Sequence, residues 1–238
     1  MIETQAYLHK ISKEIPEIFF LEIGAMDGKS FDELHQFIKH YKWHGVLVEP
    51  LKDMFELLKI NYSGCKNLYF ENSAITDREE IQPILRIPID IVEKGLAPIW
   101  AKGISSFYDN RNAIGGMGGL LYGRKMDEKF FESYKKYIVQ ENVNCITLEK
   151  LISKYNVTKV DVLQIDTEGS DYKIFKQFDF NKFKPYFIKV EVGNLPTSEY
   201  QEIKSILEKN YYDCKLEGLD LYAQKNQEEE IRNNILII

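Results

Sequence analysis

The chain has 238 residues, 44% of them hydrophobic and 29% charged, with a formal net charge of −6. That length suits one domain with an insertion, and the apolar fraction excludes a disordered chain. The acidic balance argues against a nucleic-acid partner, which needs a basic face, and no stretch approaches the ~20 apolar residues of a membrane span.

Residues 1–16 mix Glu, Gln, His and Lys with apolar positions. They lack the basic start and apolar run of a secretory signal and read as a helical extension. Ile18–Ile23 is an apolar run ending at a glycine turn, the pattern of a buried strand. Asp32–Tyr41 then shows helical spacing at Leu34, Phe37, Ile38 and Tyr41. Gly45–Val48 is a second strand, Asp53–Ile60 a second helix with Met54, Leu57 and Leu58 on one side, and Leu68–Phe70, extending toward Ala74–Ile75, a third strand. Strands alternating with helices at this spacing imply βαβ units and a mostly parallel sheet, a Rossmann-like α/β class.

The rhythm breaks over an insertion at about residues 76–141. Ile81–Val92 carries Pro83 and Pro88 between alternating apolar positions and reads as an edge strand or hairpin. Gly103–Gly123 contains six glycines and reads as a long loop, in an enzyme often a substrate lid. Alternation resumes with a helix over Thr147–Tyr155 capped by Thr147, a strand over Val160–Ile165, a helix over Gly169–Phe178 and a strand over Tyr186–Val192. A helix over Ser198–Asn210, with Ile203, Ile206 and Leu207 facing inward, precedes a closing antiparallel pair, Tyr211–Leu216 and Leu221–Gln224. The tail Gln227–Glu230 reads as solvated. The apolar end Ile235–Ile238 suits docking on the body or on a second subunit, as in a homo-oligomer.

Four groups of residues carry chemistry. Glu22-Ile23-Gly24-Ala25-Met26-Asp27-Gly28 sits where the first strand should give way to a helix, and its glycines permit close backbone approach to a ligand. Met26 stands where a dinucleotide fingerprint wants its second glycine, and carboxylates at Glu22 and Asp27 suit a cation better than a pyrophosphate. S-adenosylmethionine brings an ammonium and a sulfonium. Glu49, before Pro50 at the end of the second strand, lies about 25 residues after Gly24, near the ~20 expected of an acidic residue that holds both ribose hydroxyls. Asp166, Glu168 and Asp171 crowd one turn, which repels unless protons, a metal ion or a cationic ligand offset it. Asp166 is expected to point into the cleft and Asp171 to favour the next helix start. Glu191 lies inside an apolar strand and needs a partner. Asp166 and Glu191 could hold a divalent cation such as Mg²⁺ or Mn²⁺, or serve with Glu168 as acid, base or substrate hydrogen-bond groups.

The remaining candidates read as structural. His9, His35, His40 and His44 do not cluster. Cys65, Cys145 and Cys214 are widely spaced and odd in number, neither a disulfide framework nor a zinc pattern, so a reducing, cytoplasmic setting is expected.

With these residues in place, the sequence resembles the FkbM-type class I methyltransferases. The resembling segments are FLEIGAMDGKSF, WHGVLVEP, NSAIT at Asn72–Thr76, GISSF at Gly103–Phe107, VNCITLEKLI and VDVLQIDTEGSDY followed by FIKVEV, spanning about Phe19 to Val192. The resemblance implies a Rossmann-like fold that uses S-adenosylmethionine. Glu22, Gly24 and Gly28 would line the methionine end, Glu49 would hold the ribose, and Asn72, Ser73 and Ala74 would border the adenine. Asp166 would lie near the sulfonium and the acceptor, and Ser105 and Ser106 would face the active site. The family often has Asn where this chain has Met26. Its characterised members mostly methylate hydroxyls, often on sugars or natural products, which implies a small polar acceptor. A catalytically idle cofactor-binding module and an NAD-dependent enzyme on a related fold are the competing readings.

Overall fold

The computed structural model describes residues 4–108 and 128–226. Most of the Gly-rich stretch and both segments of the tail therefore lie outside the described residues.

The chain runs α1 (Thr4–Glu14), β1 (Phe19–Ile23), α2 (His35–Tyr41), β2 (His44–Val48), α3 (Lys52–Asn61), β3 (Leu68–Glu71), β4 (Ala74–Ile75), β5 (Glu80–Arg86) and α4 (Ile89–Glu93). A 3₁₀ turn (Ile99–Lys102), β6 (Ser105–Ser106), α5 (Glu128–Lys135), β7 (Val139–Ile146), α6 (Leu148–Lys154), β8 (Val162–Ile165) and α7 (Asp171–Phe175) follow. The last elements are β9 (Phe187–Glu191), α8 (Thr197–Lys209), β10 (Tyr212–Glu217) and β11 (Asp220–Lys225).

The main sheet has the order β10-β11-β9-β8-β1-β2-β3. β3, β2, β1, β8 and β9 are parallel, and β11 closes antiparallel between β9 and β10. The chain steps outward from β1 in both directions, so a crevice opens at the carboxyl ends of β1, β2 and β8, where open α/β sheets bind ligands.

Strand alternation sorts side chains to two faces. Leu21, Ile23, Val46, Val48, Leu163, Ile165, Ile188 and Val190 pack against α6, α7 and α8 through Leu151, Ile174, Ile203 and Leu207. Phe20, Leu47, Val162 and Phe187 pack on the other face against Leu8 and Ile11 of α1, Phe37 and Ile38 of α2, and Leu58 of α3. On this second face the next inward positions along the parallel strands are Glu22, Gln164 and Lys189, all buried. The face is thus apolar at the amino ends of the strands and polar at their carboxyl ends.

A second sheet, β4-β7-β5-β6, packs on α3 through Leu51, Met54, Ala74, Ile84, Val143 and Cys145. Arg86 of β5, 3% exposed, fastens it there. The guanidinium donates to both carboxylate oxygens of Asp53 at 2.6 Å, and to Glu141 of β7 at 3.0 Å.

Several elements differ from the sequence expectations. The expected third strand is two: β3 joins the main sheet, while β4 turns away and pairs with β7. Ile81–Val92 is a strand followed by the helical turn α4, not a hairpin. β5 lies inside the second sheet, but β6 pairs only with Leu85 and Arg86, which leaves one edge open at Pro83. β7 was not expected; its signal was the period-two burial of Val143 and Cys145 between exposed Asn142 and Asn144. α2 begins three residues late because Phe31 takes φ +60° and the Asp32 carboxylate accepts the Leu34 N–H at 2.7 Å, which fixes a turn. The Thr147 cap forms as expected, accepting the Lys150 N–H at 3.1 Å.

Candidate functional site

The crevice has two lobes. The first, about 510 Å³ including its open mouth, lies between the ends of β1, β2 and β8 and the second sheet; Glu49, Pro50, Ser73, Ala74, Ile84 and Ser105 are among its walls. The second, about 820 Å³ on the same basis, lies over the polar end of the α1–α3 face; Glu22, Asp32, Gln164, Phe31 and Trp100 line it. Gly24, Met26, Gly103, Asp166 and Glu168 line both, so the lobes share one wall.

The turn after β1 is built for close approach. Gly24 takes φ +91°, and a Cβ there would lie 1.7 Å from the Asp166 carbonyl oxygen. Any side chain would drive the β1 and β8 turns apart. The Gly24 and Ala25 N–H groups both donate to the Val48 carbonyl, at 3.0 and 2.9 Å. Met26 takes φ +49° and donates its N–H to Glu49 Oε2 at 2.9 Å. Glu49 Oε1 accepts the Leu51 N–H at 2.8 Å. Burial raises the Glu49 carboxyl to about 7 despite these two donors.

The second lobe is acidic and incompletely satisfied. Glu22 is 1% exposed; its Oε1 accepts from Gln164 at 3.2 Å and its Oε2 has no partner. Burial first, then the Asp32 charge, push Glu22 well above the ordinary carboxylate range. Lys189 answers from β9, in register with Gln164, with its Nζ 3.9 Å from Asp166 and 3.5 Å from Asp220. Burial disfavours its charge, but Asp166, Asp220 and Glu33 raise its pKa further than burial lowers it.

Asp166 and Glu168 stand on the shared wall, and Glu191, buried and lining neither lobe, reaches them from behind it. One carboxylate oxygen from each lies within 4.8 Å of the others. Asn194 bridges two of them, its Nδ2 donating to Glu168 Oε2 at 2.8 Å and to Glu191 Oε1 at 3.0 Å. Burial and mutual repulsion hold Glu168 and Glu191 well above the ordinary range. Burial also raises Asp166, although the Lys189 charge opposes it. Asp171 shapes the turn instead of lining the cleft: its two oxygens accept the Thr167 and Gly169 N–H groups at 2.8 and 2.9 Å.

Of the cofactor candidates, Glu22, Gly24, Ala25, Glu49, Pro50, Ser73, Ala74 and Asp166 line the lobes. Asp27, Gly28 and Asn72 do not. Asp27 holds its loop by accepting from Lys29 and Ser30, and these bonds outweigh burial to keep its pKa low. Gly28, at φ +66°, backs onto Leu58 and Tyr62, where a Cβ would lie 2.3 Å from the Leu58 side chain. Asn72 clamps the turn after β2, donating to the Glu49 and Pro50 carbonyls at 2.9 and 3.0 Å. Ser105 lines the first lobe, whereas Ser106 donates to the Glu168 carbonyl at 2.7 Å and fixes that turn. Gln164, Lys189, Asp32, Phe31 and Trp100 were not anticipated. The alternation of Lys189 and Glu191 in one apolar strand was the signal available for a polar strip.

Residues 22–214 match the methyltransferase FkbM domain. The chain belongs to the FkbM methyltransferase family. No protein of curated function matches it in sequence. Among solved structures, the fibrillarin pre-rRNA processing protein of Methanococcus jannaschii is 12% identical, with a TM-score of 0.41 over 87% of this chain and 65% of that one. The FkbM chain thus spans just under two thirds of that protein. The ribosomal protein L11 methylase of Lactobacillus delbrueckii subsp. bulgaricus is 7% identical, with a TM-score of 0.38 over 94% of this chain and 80% of that one. The donor of this family is S-adenosylmethionine, and the residues present fit it. The orphaned buried oxygen of Glu22 suits an ammonium group, and Gly24 presents bare backbone to both lobes.

Proposed function

We propose that this FkbM domain transfers the methyl group of S-adenosylmethionine to a hydroxyl of a sugar or another small polar metabolite. The observation that carries the reading is the shared wall: two lobes meet where Gly24, Asp166 and Glu168 stand together. The bound donor supplies an activated methyl group on a sulfonium. Ser73 and Ala74 would border its adenine, the outer lone pairs of Glu49 would receive its ribose hydroxyls, and Glu22 would receive its ammonium. Asp166 and Glu168 would take up the proton of an acceptor hydroxyl, directly or through a cation they hold, and a placed base contributes ~10²–10⁴-fold. Holding both reactants in line can supply ~7–11 kcal/mol of the barrier reduction. Phe31 and Trp100 offer aromatic faces on which a sugar ring can stack.

Three free thiols, Cys65, Cys145 and Cys214, support a cytoplasmic setting. No helix of the described residues is long and apolar enough to cross a membrane. Transfer from labelled donor to sugars, nucleotide-linked sugars and phospho-compounds tests the reading. Asp166→Asn is expected to lower turnover by ~10²-fold or more while donor binding by calorimetry changes little. Near wild-type turnover in that variant would remove Asp166 from the chemistry.

A further inference from the structure

At and behind the shared wall stand more carboxylates than the protein answers with cations. Asp166, Glu168 and Glu191 bring oxygens within 4.8 Å of one another. Like charges this close repel strongly in a buried site. Lys189 reaches only the Asp166 side, at 3.9 Å, and shares its charge with Asp220. Among the described residues no ion pair reaches Glu168 or Glu191. Glu191 is 5% exposed, and its Oε2 has no hydrogen-bond partner, nor does the Oδ1 of Asn194. A buried carboxylate oxygen left bare is costly unless something positive meets it.

We propose that Asp166, Glu168 and Glu191 bind one divalent cation of the Mg²⁺ or Mn²⁺ kind. Three carboxylates form a hard, all-oxygen donor set, which suits these ions over zinc or copper. Metal–oxygen bonds of ~2.0–2.6 Å place opposite ligands ~4–5 Å apart, so the observed spread fits oxygens around one ion. Asn194 is a positioning residue here: its amide N–H₂ holds Glu168 and Glu191 together. Open coordination positions would face the wall common to both lobes, where an acceptor hydroxyl could bind and become more acidic. The proposal adds a cofactor to the methyl-transfer reading of the same site. Calorimetry with S-adenosylmethionine alone tests that reading separately, so the two can fail independently.

The test is titration of the chelator-treated full chain with Mn²⁺, following the free-ion signal by electron paramagnetic resonance. One saturable Mn²⁺ per chain is expected, displaced by Mg²⁺. Glu191→Gln and Glu168→Gln are expected to weaken binding at least ~10-fold, and Asn194→Ala by ~10-fold through loss of orientation. Melting curves without metal separate this from misfolding. Glu191→Gln should melt at or near the wild-type temperature, because the amide matches the carboxyl in shape and is neutral where burial disfavours charge, and at one Mn²⁺ concentration the melting point of the wild type should rise more than that of either Gln variant. No saturable Mn²⁺ binding by the wild type, or equal binding in both Gln variants, would overturn the site.

Discussion

Glu49 shows how one side chain can tie two turns together and still line the crevice. Its carboxylate accepts two backbone N–H groups, from Met26 and Leu51, and so ties the turn after β1 to the turn after β2. Burial nevertheless lifts its pKa from the ordinary 4.5 to about 7. Between those values the folded chain keeps a proton that the unfolded chain has released. Stability from this group is therefore fully present below about pH 4.5, falls as pH rises through the window, and is lost above about 7. The span corresponds to about 3 kcal/mol. Denaturant unfolding at pH 5 and pH 7.5 should show a smaller drop for Glu49→Gln than for the wild type by roughly that amount. An equal drop in both would mean that Glu49 is ionised throughout.

Among the elements, the second sheet is the piece fastened by polar contacts. Its packing on α3 is apolar, but Arg86 locks it through Asp53 and Glu141. The sheet carries Ala74, Ile84 and Ser105 into the first lobe, so its seating sets the width of that lobe. Arg86→Met leaves two carboxylates without their cation. Breaking a buried pair costs ~3–5 kcal/mol. Asp53 and Glu141 are each over a third exposed, so about 1–3 kcal/mol is the discounted expectation. Amide hydrogen exchange should accelerate in β5 and β7 while β1 and β8 keep their protection. Uniform acceleration across both sheets would show that they open as one unit.

Across the whole molecule, the crevice is assembled from the ends of β1, β2 and β8 and from the second sheet, elements far apart in the chain. A ligand that bridges them should stabilise the fold as a unit. At a hundred times its Kd, S-adenosylmethionine should add ~2.7 kcal/mol, which for a chain of this size raises the melting point by roughly 5–10 °C. NAD at the same concentration should raise it far less, because Met26 and the carboxylates of the second lobe oppose a pyrophosphate. A larger shift with NAD would reverse the choice of cofactor.

The sequence by itself determined the alternating α/β rhythm, the glycine bend after β1 and the acidic residues at the strand ends. These are local signals: hydrophobic periodicity, a conformation that favours glycine, and carboxylates inside apolar runs. It could not show that Asp27, Gly28 and Asn72 brace turns while Glu22 and Glu49 face the cleft, because all five stand at or just beyond the carboxyl ends of strands, where the sequence does not say which way a side chain turns. It also missed β7 and the parting of β4 from β3, since strand pairing depends on partners distant in the chain. The tertiary structure alone decided that Glu22, Gln164 and Lys189 form one polar strip and that Glu168 joins Asp166 and Glu191. Register across parallel strands sets those neighbours, and register is fixed by which face of each strand the helices cover.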